Sequence, residues 1–340
     1  MNFDAILAPL FDRTLAYPMA TAGLRFKTYG AAVVLSPEVL RHGLQIAGRL
    51  SRVFNAKADI GHLITLTEHI DDMVDAAYPA EILQAGATGL GDIPSPFLFN
   101  EKFVDPIYFS TLQRLHFGGI VPGHVSVNFS NLFADLCREK ADMQMRYADG
   151  DDHVTRIDIA KNNLELSGVF TTFFYSFLSP SQKLIDQKTP ITKHDVAAAY
   201  PQMYRLNYTM QYIDDLRDIM IDLADEVRTG CPTSNIVLAY GMPHNTARHI
   251  VMKSWSEKLS KMDNVRISDL PIVLQSGIKA AGIQAMQEIG SLEGVMTRGI
   301  LGSFWRNTLR EGFMTPNHQT YQENLTHNQT KYLALKASLV

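Results

Sequence analysis

Two groups of carboxylates, each closing a largely apolar stretch, constrain this chain more than any other feature. The first reads His69-Ile70-Asp71-Asp72-Met73-Val74-Asp75. The second reads Gln211-Tyr212-Ile213-Asp214-Asp215-Leu216-Arg217-Asp218-Ile219-Met220-Ile221-Asp222. On a helix, residues three and four apart share a face, so Asp71, Asp72 and Asp75 converge, as do Asp214, Asp218 and Asp222. Like charges at that spacing cost an isolated helix about 0.2–0.5 kcal/mol per pair. Between residues 60 and 70 the only acid is Glu68, and the second group follows Met203, Tyr204, Leu206, Tyr208, Met210 and Tyr212. Carboxylates at the end of a buried helix are costly unless paired or metal-bound. A solvated helix face would explain either group alone. Both in one chain point to a hard divalent cation, because Mg2+ takes carboxylate oxygens, keeps waters and shares its shell with phosphates. Two such groups facing each other describe a site for three Mg2+ ions, with Mn2+ as the alternative, and a diphosphate.

Composition narrows the setting. The 340 residues are 46% apolar and 19% charged, which is globular. A net charge of −4 argues against nucleic acid, whose binding rests on basic surfaces. Cys137 and Cys231 stand far apart without zinc-ligand spacing, so neither a disulfide framework nor structural zinc is expected. The first ten residues lack the basic and apolar regions of a signal peptide. The longest apolar block, residues 166–178, is shorter than the roughly 20 residues that span a bilayer. The expectation is a cytoplasmic protein with no stable membrane insertion.

Helical periodicity dominates, and no run of alternating strands stands out. Ser36 followed by Pro37 predicts a helix start, with the pattern running from Val39 toward Phe54. A second helix from about Ala58 delivers the first acidic group, and Pro79, Gly86, Gly89, Gly91, Pro94 and Pro96 mark a loop beyond it. Residues 151–163 lead into an apolar helix over 164–178, and residues 180–190 form a break. A long helix from about Ala197, with Thr192 to Asp195 as its start, carries the second group and stops near Gly230 and Pro232. The expected architecture is one all-α domain over residues 1–340, of roughly ten or more helices around a central cavity, with a polar tail over 312–340.

With these motifs in place, the chain resembles the trans-isoprenyl diphosphate synthases and, more broadly, the class I terpenoid synthases, over roughly residues 20–240. Asp71, Asp72 and Asp75 match the family's first DDxxD motif; Gln211, Asp214, Asp215 and Asp218 match the second with its preceding glutamine. Asp142-Met143-Gln144, Asp151, Asp152 and residues 156–168 look like the Gly-Gln region and the Lys-Thr-Gly helix. Gly23-Leu24-Arg25-Phe26-Lys27 looks like the Gly-Lys-x-x-Arg loop. The resemblance implies an all-α isoprenoid synthase fold, Mg2+ on both motifs, an allylic prenyl diphosphate as substrate and a homodimer. It also implies diphosphate contacts from Arg25, Lys27, Gln211, Arg217 and Arg228.

Departures from the family shape the functional expectation. Asp75 is followed by Ala76-Ala77-Tyr78 where an arginine pair is usual. Leu166-Ser167-Gly168 stands for Lys-Thr-Gly, and Gly230-Cys231-Pro232 for Gly-Lys-Pro. A diphosphate needs several cations or charge-assisted donors, so a second site for isopentenyl diphosphate is incomplete. Asp214, Asp218 and Asp222 also match the spacing of the terpene cyclase metal triad, with three aspartates where Asn, Ser/Thr and Glu are usual. The first expectation is therefore a cyclase that ionises one allylic diphosphate, with no catalytic residue beyond the metal site. Phe170, Phe174 and Tyr208 are its expected cavity wall, where aromatic faces stabilise a cation by about 2 kcal/mol or more when desolvated. The alternative is a prenyltransferase joining the cation to isopentenyl diphosphate or another acceptor. A silent partner subunit and an unrelated acidic all-α binding protein are the readings outside catalysis.

Overall fold

The chain enters its first bounded helix where Ser36 predicts it. In the computed structural model, Ser36 Oγ accepts from Val39 N at 3.3 Å and Pro37 takes the first helical position of α1 (Pro37–Arg41). The structure describes residues 31–60 except 57, residue 63, 106–120, 123–229 except 188, 232–244, 248, 250, 251, 254, 264–311, 313 and 314. The expected run toward Phe54 is two helices. His42, at φ −95° and ψ 8°, closes α1 and opens α2 (Gly43–Asn55).

After α3 (Pro106–Phe117) and α4 (Gly123–Ala148) comes α5 (Arg156–Leu178). Residues 156–163, expected to lead into that helix, form its first two turns. Thr155 and Asp158 exchange side-chain and backbone bonds in a capping box, a local signal strong enough to start the helix. Two short helices follow, α6 (Gln182–Asp186) and α7 (Lys193–Ala199). Thr192 and Asp195 do form the expected start, but of α7 and not of the long helix. Pro201 divides the two. Steric clash with a proline ring keeps the preceding residue out of the helical region, and Tyr200 sits at φ −135°, ψ 59°. Pro201 then opens α8 (Pro201–Thr229), where its missing N–H costs nothing. Tyr200 fixes this corner to the end of α5: its hydroxyl donates to Ser179 O at 2.9 Å and accepts from Ser181 N at 2.6 Å.

The remaining elements are α9 (Ile236–Gly241), β1 (Asn264–Val265), α10 (Ile272–Ser291), α11 (Val295–Glu311) and β2 (Phe313–Met314). Strands β1 and β2 form one antiparallel two-residue pair; otherwise the described residues are helical or irregular, so the fold is all-α. None of the described helices is long and apolar enough to cross a membrane.

Helix α8 is the element around which the others gather, packing on α5, α9, α10 and α11. Its buried row Leu206, Ile213, Leu216, Ile219, Met220 and Leu223 belongs to the same core as Leu164, Phe173 and Phe177 of α5. Gly168 lets the two helices close: a Cβ there would lie 2.9 Å from the Tyr204 ring. In sequence this glycine stood only for a family motif; its structural task is that crossing.

Buried Glu38 of α1 caps the start of α8 by accepting from Met203 N at 2.9 Å. Burial pushes its carboxyl above the ordinary range, and the hydrogen bond from Met203 and the nearby His42 only partly oppose the shift. A raised folded-state pKa means that the stability Glu38 contributes is complete below its unfolded value, about pH 4, and is lost as pH rises through the folded value. Glu38→Gln keeps an acceptor for Met203 and removes the charge. Its stability advantage over the parent in urea unfolding is expected to be small at pH 4 and larger at pH 7.

Candidate metal and diphosphate site

The α8 carboxylates divide into two sets. Asp214, Asp218 and Asp222 are partly exposed along one side of the helix, at i, i+4 and i+8. Asp215 and Glu226 are turned into the protein, 5% and 0% exposed.

Asp215 is held on both oxygens by protein donors. Gln211 Nε2 donates to its Oδ1 at 2.7 Å and Ile236 N, at the start of α9, donates to its Oδ2 at 2.7 Å. Burial lifts its carboxyl well above the ordinary range. Asp214 and Asp218 push the same way, against the two hydrogen bonds. Asp215 therefore ties α8 to α9 and is not one of the rim aspartates. Gln211, expected on the diphosphate, donates its side-chain amide to Asp215. Asp222 accepts from Asn235 Nδ2 at 2.6 Å.

Glu226 extends the acidic row by one turn, and there the positive charge comes from arginine. It pairs with Arg156 of α5, itself wholly buried, and with Arg248 Nε at 3.2 Å. Thr233 N and Oγ1 add donors at 3.0 and 2.9 Å. Neither Glu226 nor Asn235 was singled out in the sequence. The four-residue step from Asp222 is a visible signal for the first; nothing local marks the second.

Arg217 leans on α11, its Cζ 5.9 Å from the Phe304 ring centroid. Its Nη1 is buried with no hydrogen-bond acceptor among the described residues. Phe170 and Phe174 meet edge to face, centroids 4.9 Å apart, and both are partly exposed, whereas Phe173 and Phe177 of the same helix are buried. Tyr208 is partly exposed and stacks obliquely on Tyr212 at 6.0 Å. Burial, with Glu288 and Glu165 nearby, pushes the Tyr208 phenol up to about 12, so it stays neutral at physiological pH.

Asp71, Asp72, Asp75, Arg25 and Lys27 lie outside the described residues, as does the side chain of Arg228. Among the described residues no three His, Cys, Asp or Glu side chains gather closely enough to hold a metal ion. The α8 aspartates supply hard oxygen donors, the kind that Mg2+ takes through one or two carboxylates beside waters and phosphates. On donor chemistry, these oxygens suit a hard divalent cation.

No protein-family model, characterised protein or solved structure matches the chain.

Proposed function

We propose that this protein is a Mg2+-dependent class I isoprenoid synthase that ionises an allylic prenyl diphosphate and cyclises or rearranges the resulting cation. The observation that carries the reading is the division of the α8 acids. Asp215 and Glu226 are buried, while Asp214, Asp218 and Asp222 keep a partly exposed row on the same helix. Bound there, the metal would act as a Lewis acid on the leaving diphosphate. Asp214, Asp218 and Asp222 hold it, and Asp71, Asp72 and Asp75 belong to the opposite side in this reading. The buried Nη1 of Arg217 provides a donor for a phosphate oxygen. Phe170, Phe174 and neutral Tyr208 present aromatic faces that exclude water and stabilise a cation without reacting with it.

Asp218→Ala tests the reading at the centre of the partly exposed row. Loss of a metal-holding carboxylate removes several kcal/mol of barrier lowering, so turnover is expected to fall on the order of 10³-fold. A circular-dichroism melt checks that the variant is folded. Turnover within a few-fold of the parent would contradict the assignment.

A further inference from the structure

The segment that follows α8 doubles back along it and reaches successive acids. Thr233 bonds Glu226, Asn235 bonds Asp222 and Ile236 bonds Asp215. Asn235 is the junction. Its Oδ1 accepts from Val237 N at 2.9 Å and Leu238 N at 3.0 Å, capping α9. Its Nδ2 donates to Asp215 O and to Asp222 Oδ2, both at 2.6 Å. The residue is 2% exposed. A primary amide offers two donor hydrogens and two acceptor lone pairs, and all four are engaged here. Rotation about the side chain would break several bonds at once.

Helix capping alone does not call for asparagine. Serine, threonine and aspartate accept from the first N–H groups about as well, but none offers an NH2 group as well. Aspartate would also place another carboxylate against Asp215 and Asp222. Resting on the metal role assigned above to the α8 aspartates, we propose that Asn235 is the positioning residue of the site. By donating to Asp222 Oδ2 it fixes that carboxylate in one rotamer, and by capping α9 it makes the rotamer part of the fold. It touches neither metal nor substrate in this scheme.

Partners that orient a metal-binding carboxylate commonly change metal affinity by about 10–100-fold when removed. Asn235→Ser keeps an oxygen cap for α9 and deletes the Nδ2 donor. The test is a calorimetric titration of Mg2+ in the presence of inorganic diphosphate, run beside the Mg2+ dependence of turnover and a circular-dichroism melt. The expected result is a folded variant whose Mg2+ affinity is weakened about 10–100-fold in both titrations, with turnover at saturating Mg2+ close to the parent. Asn235→Asp, which caps but repels Asp222, should be weakened further, and it serves as the second variant if the serine protein does not fold. A folded Asn235→Ser protein with the parent's Mg2+ affinity overturns the positioning role while leaving the functional reading intact. A parent protein that binds no Mg2+ with inorganic diphosphate overturns both.

Discussion

Glu226→Gln is expected to lower stability by about 3–5 kcal/mol, although it preserves the shape of the side chain. Its carboxylate is fully buried between Arg156, which has no exposed surface, and Arg248, at 7%. Neutralising it leaves two guanidinium groups in the interior against an amide. The cost is chiefly that uncompensated charge and much less the lost contact. Thr233 would still find an oxygen on the glutamine, so its bonds separate little from the total. Urea unfolding at neutral pH reads the difference as a shift of midpoint at constant slope. Removing all the charged partners together should cost much less than removing the acid alone: in the triple variant Arg156→Met, Glu226→Met and Arg248→Met, apolar packing replaces charge pairing. A loss below about 1 kcal/mol for the single variant would show that solvent or another anion already neutralises the arginines.

Gly277→Ala is the second large effect, and it acts through backbone. A Cβ at Gly277 would stand 2.5 Å from Val237 O, 2.6 Å from Gly241 N and 2.7 Å from Gly241 Cα. All three are main-chain atoms of α9, so no side chain can rotate aside. Overpacking usually costs about 1–3 kcal/mol when side chains can adjust; here at least the upper end is expected. Helix α9 must also move away from α10, and its first turn carries Asn235 and Ile236, which hold Asp222 and Asp215. The variant should therefore lose Mg2+ affinity together with thermal stability. Gly290→Ala, where an added Cβ meets nothing within 4 Å, is the control on the same helix and should be neutral or slightly stabilising.

Much of the helical framework is legible because helix starts are written locally. Ser36 with Pro37, and Thr192 with Asp195, announce their helices within four residues, and α8 ends at Thr229 just before the predicted stop. Interruptions are harder to read. The apolar period runs through His42 and Tyr200, where the structure breaks the helix, and at Tyr200 the following proline was the available clue. Within the site, the sequence places the aspartates on one helix without saying which face the interior. Asp214 and Asp215 are chemically identical neighbours about 100° apart around α8, and only the packing of α9 decides that Asp215 is the one enclosed. Arg156 and Asn235 owe their roles to partners that the chain brings together from 70 and 13 residues away. No local pattern encodes such pairings.

The most direct test of the account is product analysis. The purified protein is incubated with Mg2+ and geranyl, farnesyl or geranylgeranyl diphosphate in turn, with and without isopentenyl diphosphate, followed by gas chromatography–mass spectrometry and diphosphate release. Hydrocarbon or alcohol terpenes are expected from at least one substrate without isopentenyl diphosphate, dependent on Mg2+ and lost in Asp218→Ala. Longer prenyl diphosphates formed only when isopentenyl diphosphate is added would replace cyclisation with chain elongation at the same metal site. If all three allylic diphosphates stay intact under every condition, the central claim is contradicted.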